Sequence, residues 1–220
     1  MTLEEAMFLR HSVRSYDDRS LSGKDKDLMD EYLGKINRES GLNLRLVTDE
    51  PSAFSSLMAH YGKFSGVRNY ITVSGEKGMS VKAGYYGEKA VLYAQTLGLR
   101  TCWVGLTYRK TKEMTRDGKL YLVIATGYGT TDGVSHKSKS RSEVSDASDA
   151  PEWFWKGVDA ALLAPTAMNQ QKFRFSLSGE DVKADTGLGF FSKVDLGIAM
   201  LHFELGSGRT GCFSSQVSSR

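Results

Sequence analysis

Two helical patterns, set about half the chain apart, constrain this sequence more than anything else in it. Residues 79–97 place Tyr86, Ala90, Tyr93, Ala94 and Leu97 on one broad face, and Gly98 stands where a helix C-cap is expected. Residues 192–205 carry Ile198, Leu201, His202 and Leu205 at i, i+3, i+4 and i+7, with Gly206 behind them. The Leu-Gly ends, at Gly98 and Gly206, lie 108 residues apart. Two strand-like runs, 68–75 and 172–179, both start on a basic residue, end in Ser-Gly and lie 104 residues apart. Two half-units with a helix–strand–helix core would give this echo, and so would coincidence among ordinary elements.

The remaining patterns fill in a chain that mixes helices and strands. Residues 24–36 space Leu28, Met29, Tyr32, Leu33 and Ile36 as a helix, closed by Gly41. Residues 42–47 alternate as a strand, and 119–126 read as a buried strand. Residues 51–63 fit no single period, with a short helix expected within 53–60. Trp103, Val104 and Gly105 read as a loop. Residues 130–149 are polar and rich in Ser and Lys, a linker composition. Pro151 then opens a helix that turns Trp153, Phe154, Val158, Ala161 and Leu162 inward and stops before Pro165. The expected division is residues 1–135, a polar linker at 136–150 and residues 151–220, both halves forming one structural domain. The stretch from Phe213 to Arg220 reads as a disordered tail.

Composition narrows the function classes. With 29 basic and 26 acidic residues the net charge is +3, too balanced to argue for nucleic acid. No run approaches the ~18 apolar residues of a membrane span. The first residues lack the apolar stretch of a secretory signal, so a cytoplasmic protein is expected. Cys102 and Cys212 form no metal-binding pattern, and His11, His60, His136 and His202 are scattered, so no metal site is expected.

Two segments carry chemistry. In Arg10-His11-Ser12-Val13-Arg14-Ser15-Tyr16, alternate residues of an extended chain put Arg10, Ser12 and Arg14 on one side. Two guanidiniums and a hydroxyl suit a phosphate. By spacing alone, a surface salt bridge from Arg14 to Asp17 or Asp18 is equally open. The second segment, Ala164-Pro165-Thr166-Ala167-Met168-Asn169-Gln170-Gln171, is a helix end broken by proline and followed by small and amide residues. Such a loop suits the polar edge of a flat heterocycle. Together the two suggest a phosphorylated aromatic cofactor.

Both segments resemble the flavin-binding signatures of the nitroreductase family, which uses flavin mononucleotide (FMN). Residues 87–90 through 98–105 resemble that family's central helix and the loop after it. Residues 125–129, then 136–139, resemble its closing strand and basic tail. The resemblance implies an α+β fold with a central antiparallel or mixed sheet flanked by helices. It implies an FMN-dependent oxidoreductase that takes hydride from NADH or NADPH and reduces nitroaromatics, quinones or similar flat small-molecule acceptors by ping-pong transfer. A flavin-binding protein for storage or sensing, or another redox chemistry on the same fold, is the alternative. Arg10, His11, Ser12, Arg14, Lys137 and Lys139 are the residues implied for the phosphate end. Val104, Gly105 and Leu106 are implied beside the ring, with Pro165, Thr166, Ala167 and Met168 lining it and Asn169 and Gln171 at its polar edge. Family members are usually dimers with the flavin between subunits. Here both signatures lie in one chain, which points to a single-chain pseudo-dimer with one FMN site and an empty mirror site, as a monomer or a homodimer.

Overall fold

The computed structural model describes residues 1–21, 23–55, 61–213 and 216. Its sheet is built from four strands: β1 (Asn43–Val47), β2 (Asn69–Gly75), β3 (Arg100–Val104) and β4 (Lys119–Gly127). They run in the order β1-β2-β4-β3, antiparallel throughout. β2 is buried along its whole length and β4 nearly so, because both faces of the sheet are covered. Leu44, Leu46, Ile71, Val73, Leu122 and Ile124 face the helical core, while Tyr70, Cys102, Val104, Val123 and Ala125 face a second apolar layer. That second layer is made by connecting segments, through Val13, Tyr16, Phe54, Phe64 and Val67. Strands buried on both sides read as continuous apolar runs.

The helices are α1 (Leu3–Leu9), α2 (Gly23–Ser40), α3 (Ser80–Thr96), α4 (Arg141–Val144), α5 (Glu152–Ala161) and α6 (Ser192–Ser207). α2 lays Met29, Leu33 and Ile36 inward at i, i+4 and i+7, and Tyr32 stacks on Tyr93 of α3 at 3.9 Å. α3 and α6 pack on each other, and α5 packs on α6. A hairpin of β5 (Phe173–Ser178) and β6 (Asp181–Thr186) also rests on α6. Phe175 stacks on Phe203 at 4.8 Å, and Phe213 packs beside both.

The crossing of α3 and α6 is reciprocal. A Cβ on Gly84 would overlap the Val194 carbonyl, and a Cβ on Gly197 would overlap the Val81 carbonyl. Gly84 and Gly197 are 113 positions apart, as are Val81 and Val194. The same interval relates Gly98 to Gly211, with φ of 79° and 78°, and Gly78 to Phe191, with φ of 97° and 59°. Small residues here let two helix backbones touch. The order helix, strand, strand, helix occurs in each half, as α2–β1–β2–α3 and α5–β5–β6–α6.

Several expectations change. The echo in the sequence matched residues 68–75 with 172–179, but β2 leads into α3 whereas β6, not β5, leads into α6. Trp103 and Val104 belong to β3 rather than to a loop. Residues 51–54 form one 3-10 turn, and 56–60 lie outside the described residues. The stretch 136–150 is tied down, since it contains α4, buries Val144 and bridges Ser145 to Phe175. Phe213 is buried in the core, while most of the chain after it lies outside the described residues.

Candidate functional site

The edge strand β3 sets the site. Val13 N donates to the Thr101 carbonyl at 3.0 Å and Ser12 bridges Thr101 in parallel, so the N-terminal segment runs on beside β3. Alternation then turns Val13 into the apolar layer and sends Ser12 and Arg14 to the other side. The Tyr16 hydroxyl donates to the Val13 carbonyl at 2.7 Å and fixes the turn.

Against this edge lies a cavity of about 710 Å³. Ser12, Arg14, Lys63 and Phe64 line it from the first half, with β3 and its exit through Cys102, Trp103, Val104, Gly105 and Leu106. Pro165, Thr166, Ala167 and Met168 line it from the second half, with Phe190, Phe191, Asp195 and Ile198. Tyr61, Leu106, Met168 and Phe190 are exposed large apolar groups among these. Among the described residues the walls are thus mostly apolar, with two cations and one carboxylate.

The cations differ in how the sequence displays them. Arg14 forms no ion pair among the described residues; its guanidinium stands 5.9 Å over the Phe64 ring, and Asp17 is taken by Arg19 at 2.8 Å. Lys63 was missed because it falls in the stretch without a clear period. It holds a left-handed backbone, φ 58°, at the cavity wall.

Arg10 does not reach the cavity. It is 4% exposed, with Nε 3.8 Å from Glu88 Oε1 and both Nε and Nη1 without a hydrogen-bond partner. Glu88 in turn accepts from Trp103 Nε1 at 2.7 Å and meets His202 Nε2 at 3.0 Å. His202 is fully buried, its Nδ1 3.2 Å from the Ala160 carbonyl. Trp103 therefore joins the cavity wall to a buried polar cluster between α3 and α6. His11 also lies off the cavity, and burial, then Arg10 and Arg100, lower its pKa.

The amide segment is turned inward on itself. Asn169 Nδ2 and Gln171 Nε2 donate to the Lys137 carbonyl at 2.8 and 2.9 Å. Gln171 Oε1 accepts from Lys139 N, and Lys139 Nζ reaches the Gln171 carbonyl, both at 2.9 Å. Asn169, Gln171, Lys137 and Lys139 thus brace the wall from behind and do not line the cavity. The turn they brace is unusual, because Met168, Asn169 and Gln171 have φ of 52°, 52° and 43° without being glycine.

Two lining residues had no signal in the sequence. Phe191 holds φ 59° at the start of α6, and its ring edge packs on Gly105, where any Cβ would overlap it. Asp195, in the first turn of α6, is 4% exposed; burial pushes its carboxyl up to about 6, against the opposing pull of Gln170 and the Ala167 amide. Burial raises the thiol pKa of Cys102, which disfavours the nucleophilic thiolate. Among the described residues no group of three or more potential ligands could hold a metal ion, and no helix is long and apolar enough to cross a membrane.

The arrangement can hold an anionic group at Arg14 and Lys63 and a flat ring among apolar walls. Among the described residues it offers no nucleophile with a base beside it. The family model described as "Putative TM nitroreductase" matches residues 2–207. A putative nitroreductase from Thermotoga maritima is similar in structure, with a TM-score of 0.69 and 25% identity over 94% of this chain and 83% of that one. A putative nitroreductase from Desulfovibrio desulfuricans, solved in complex with FMN, gives 0.51 and 17% over 69% of this chain and 99% of that one. A Parabacteroides distasonis protein described as a putative NADH dehydrogenase/NAD(P)H nitroreductase gives 0.51 and 18% over 66% and 97%. No curated protein matches the chain.

Proposed function

Because the chain belongs to the family described as putative TM nitroreductases, an oxidoreductase family, we propose that its cavity binds FMN and that NADH or NADPH reduces a flat acceptor there. The observation that carries this is one cavity with walls from both halves, pairing two cations with an apolar slot of about 710 Å³. The residues present fit the cofactor. Arg14 and Lys63, with the Ser12 hydroxyl, would hold its phosphate. Val104, Gly105 and Leu106 on one side and Pro165, Thr166, Ala167 and Met168 on the other would enclose its ring. When bound, FMN supplies the redox chemistry, taking hydride from the nicotinamide and passing electrons to the acceptor.

The protein's own part is binding, orientation and dryness. The apolar rim at Tyr61, Leu106, Met168 and Phe190 suits nitroaromatics, quinones and other planar acceptors. Nicotinamide and acceptor using one cavity in turn would give ping-pong kinetics. The reciprocal crossing of α3 and α6, with its constant interval of 113 residues, supports a single-chain pseudo-dimer with one site per chain. Purified protein should retain about one FMN per chain after desalting, read from its visible spectrum. A colourless protein that binds no added FMN would overturn the proposal, and two flavins per chain would overturn the one-site reading.

A further inference from the structure

We propose that Asp195 is a positioning residue for the cavity wall: its ionised carboxylate holds the turn from Ala167 to Gln170 in the shape against which a flat ring docks. The inference rests on the flavin reading above.

Three hydrogen bonds converge on this side chain. Ala167 N lies 3.0 Å from Oδ1 and 3.2 Å from Oδ2, and Gln170 Nε2 donates to Oδ2 at 2.7 Å. The same Gln170 amide donates to the Phe190 carbonyl at 2.8 Å. The carboxylate therefore ties the wall turn to α6, and Gln170 ties the same turn to the strap that enters α6. The turn needs outside support, because Met168 and Asn169 within it, and Gln171 directly after it, sit in the left-handed region. At the equivalent end of α3, Lys82 reaches the Ser40 carbonyl at 3.2 Å, and among the described residues no such turn stands beside it.

The charge on Asp195 is costly to the fold. Its hydrogen-bond partners are the Ala167 backbone amide and the Gln170 side-chain amide, and Arg14 and Lys63 are the charged groups that share the cavity with it. Neither hydrogen-bond partner is titratable, and neither Arg14 nor Lys63 forms an ion pair with Asp195. Its folded carboxyl titrates near 6, above the ordinary 3.8. A raised acid favours the folded state at low pH, and that contribution is lost as pH rises through about 6. At pH 8 the residue is ionised at the expense of stability, a pattern expected where function sets the residue.

The test compares wild type with Asp195→Asn at pH 5 and pH 8, by FMN fluorescence titration and thermal midpoint. Comparison at each pH cancels the titration of the FMN phosphate itself. At pH 8 the variant should bind FMN about tenfold more weakly, from the lost charged acceptor, while its midpoint rises. At pH 5, where wild type is itself protonated, affinities should agree within about threefold. Equal affinity at pH 8, or equal weakening at both pH values, overturns the proposal. If wild type binds no FMN, the flavin reading fails and the wall is read directly. Amide hydrogen exchange at Ala167 should then be about tenfold faster in Asp195→Ala, and unchanged exchange overturns the proposal.

Discussion

At the start of α3, Gly78 turns the chain at φ 97° and Lys82 reaches back to the Ser40 carbonyl. At the start of α6, 113 positions later, Phe191 turns it at φ 59° and Asp195 takes the Ala167 amide. The helices cross symmetrically, and the cavity lies at the second end. The connectors make the difference. Between α2 and β1 stand two residues, 41–42, so strand follows helix at once. Between α5 and β5 stand eleven, 162–172, enough to build a braced turn and one wall. The first end has a glycine where the backbone is left-handed, whereas the second holds a phenyl ring there against Gly105. A shared scaffold thus closes one end by economy of chain and keeps the other open by strain.

The equivalence of the two helices can be broken directly. Gly84→Leu and Gly197→Leu each drive a side chain into the other helix's backbone, so each should cost more than about 4 kcal/mol in urea unfolding. Markedly unequal costs would break the equivalence. The buried cluster is where the helices differ most, because Glu88 corresponds to Leu201. Glu88→Ala leaves Arg10 buried without its anion and should cost about 3–5 kcal/mol. Glu88→Leu combined with Arg10→Met should recover much of that in a double-mutant cycle.

The functional contrast is sharpened by smaller changes. Arg14→Ala should weaken FMN binding about thirtyfold, or ~2 kcal/mol, by equilibrium titration. Lys82→Ala, at the closed end, should leave that affinity unchanged. Gly78→Ala meets no atom within 4 Å, so its cost is backbone strain alone, about 1 kcal/mol in a thermal melt.

The sequence displayed the elements whose apolar spacing is regular. α2, α3, α5, α6, β1, β2, β4 and β5 follow the patterns read from it within a few residues, because each buries one face or both. β6 was illegible, since Asp181, Lys183 and Asp185 face out and only Val182 and Ala184 point inward. α1 was overlooked although Thr2 and Glu5 form a capping box that marks its start. At the site, the segments were visible but their directions were not. Arg10 shares the alternation of Ser12 and Arg14, yet the acid at Glu88 lies in another element and draws it inward. Asn169 and Gln171 have the amides a ring edge needs, but a left-handed turn aims them at the Lys137 carbonyl. Phe191, Lys63 and Asp195 reach the cavity through backbone shape and helix placement, which leave no mark in residue type.

The meeting of α3 and α6 within one polypeptide also decides how the site behaves in a population of molecules. Cavity walls drawn from separate subunits come apart as protein is diluted, so activity per chain falls with concentration. On the single-chain reading proposed above, the connecting segments would hold the walls at a high effective concentration of each other, whatever the amount of protein. With one site per chain, as proposed above, each substitution would also enter the cavity once. A symmetric pair of subunits must carry every change twice, whereas this chain can alter residue 195 and leave residue 82 as it is.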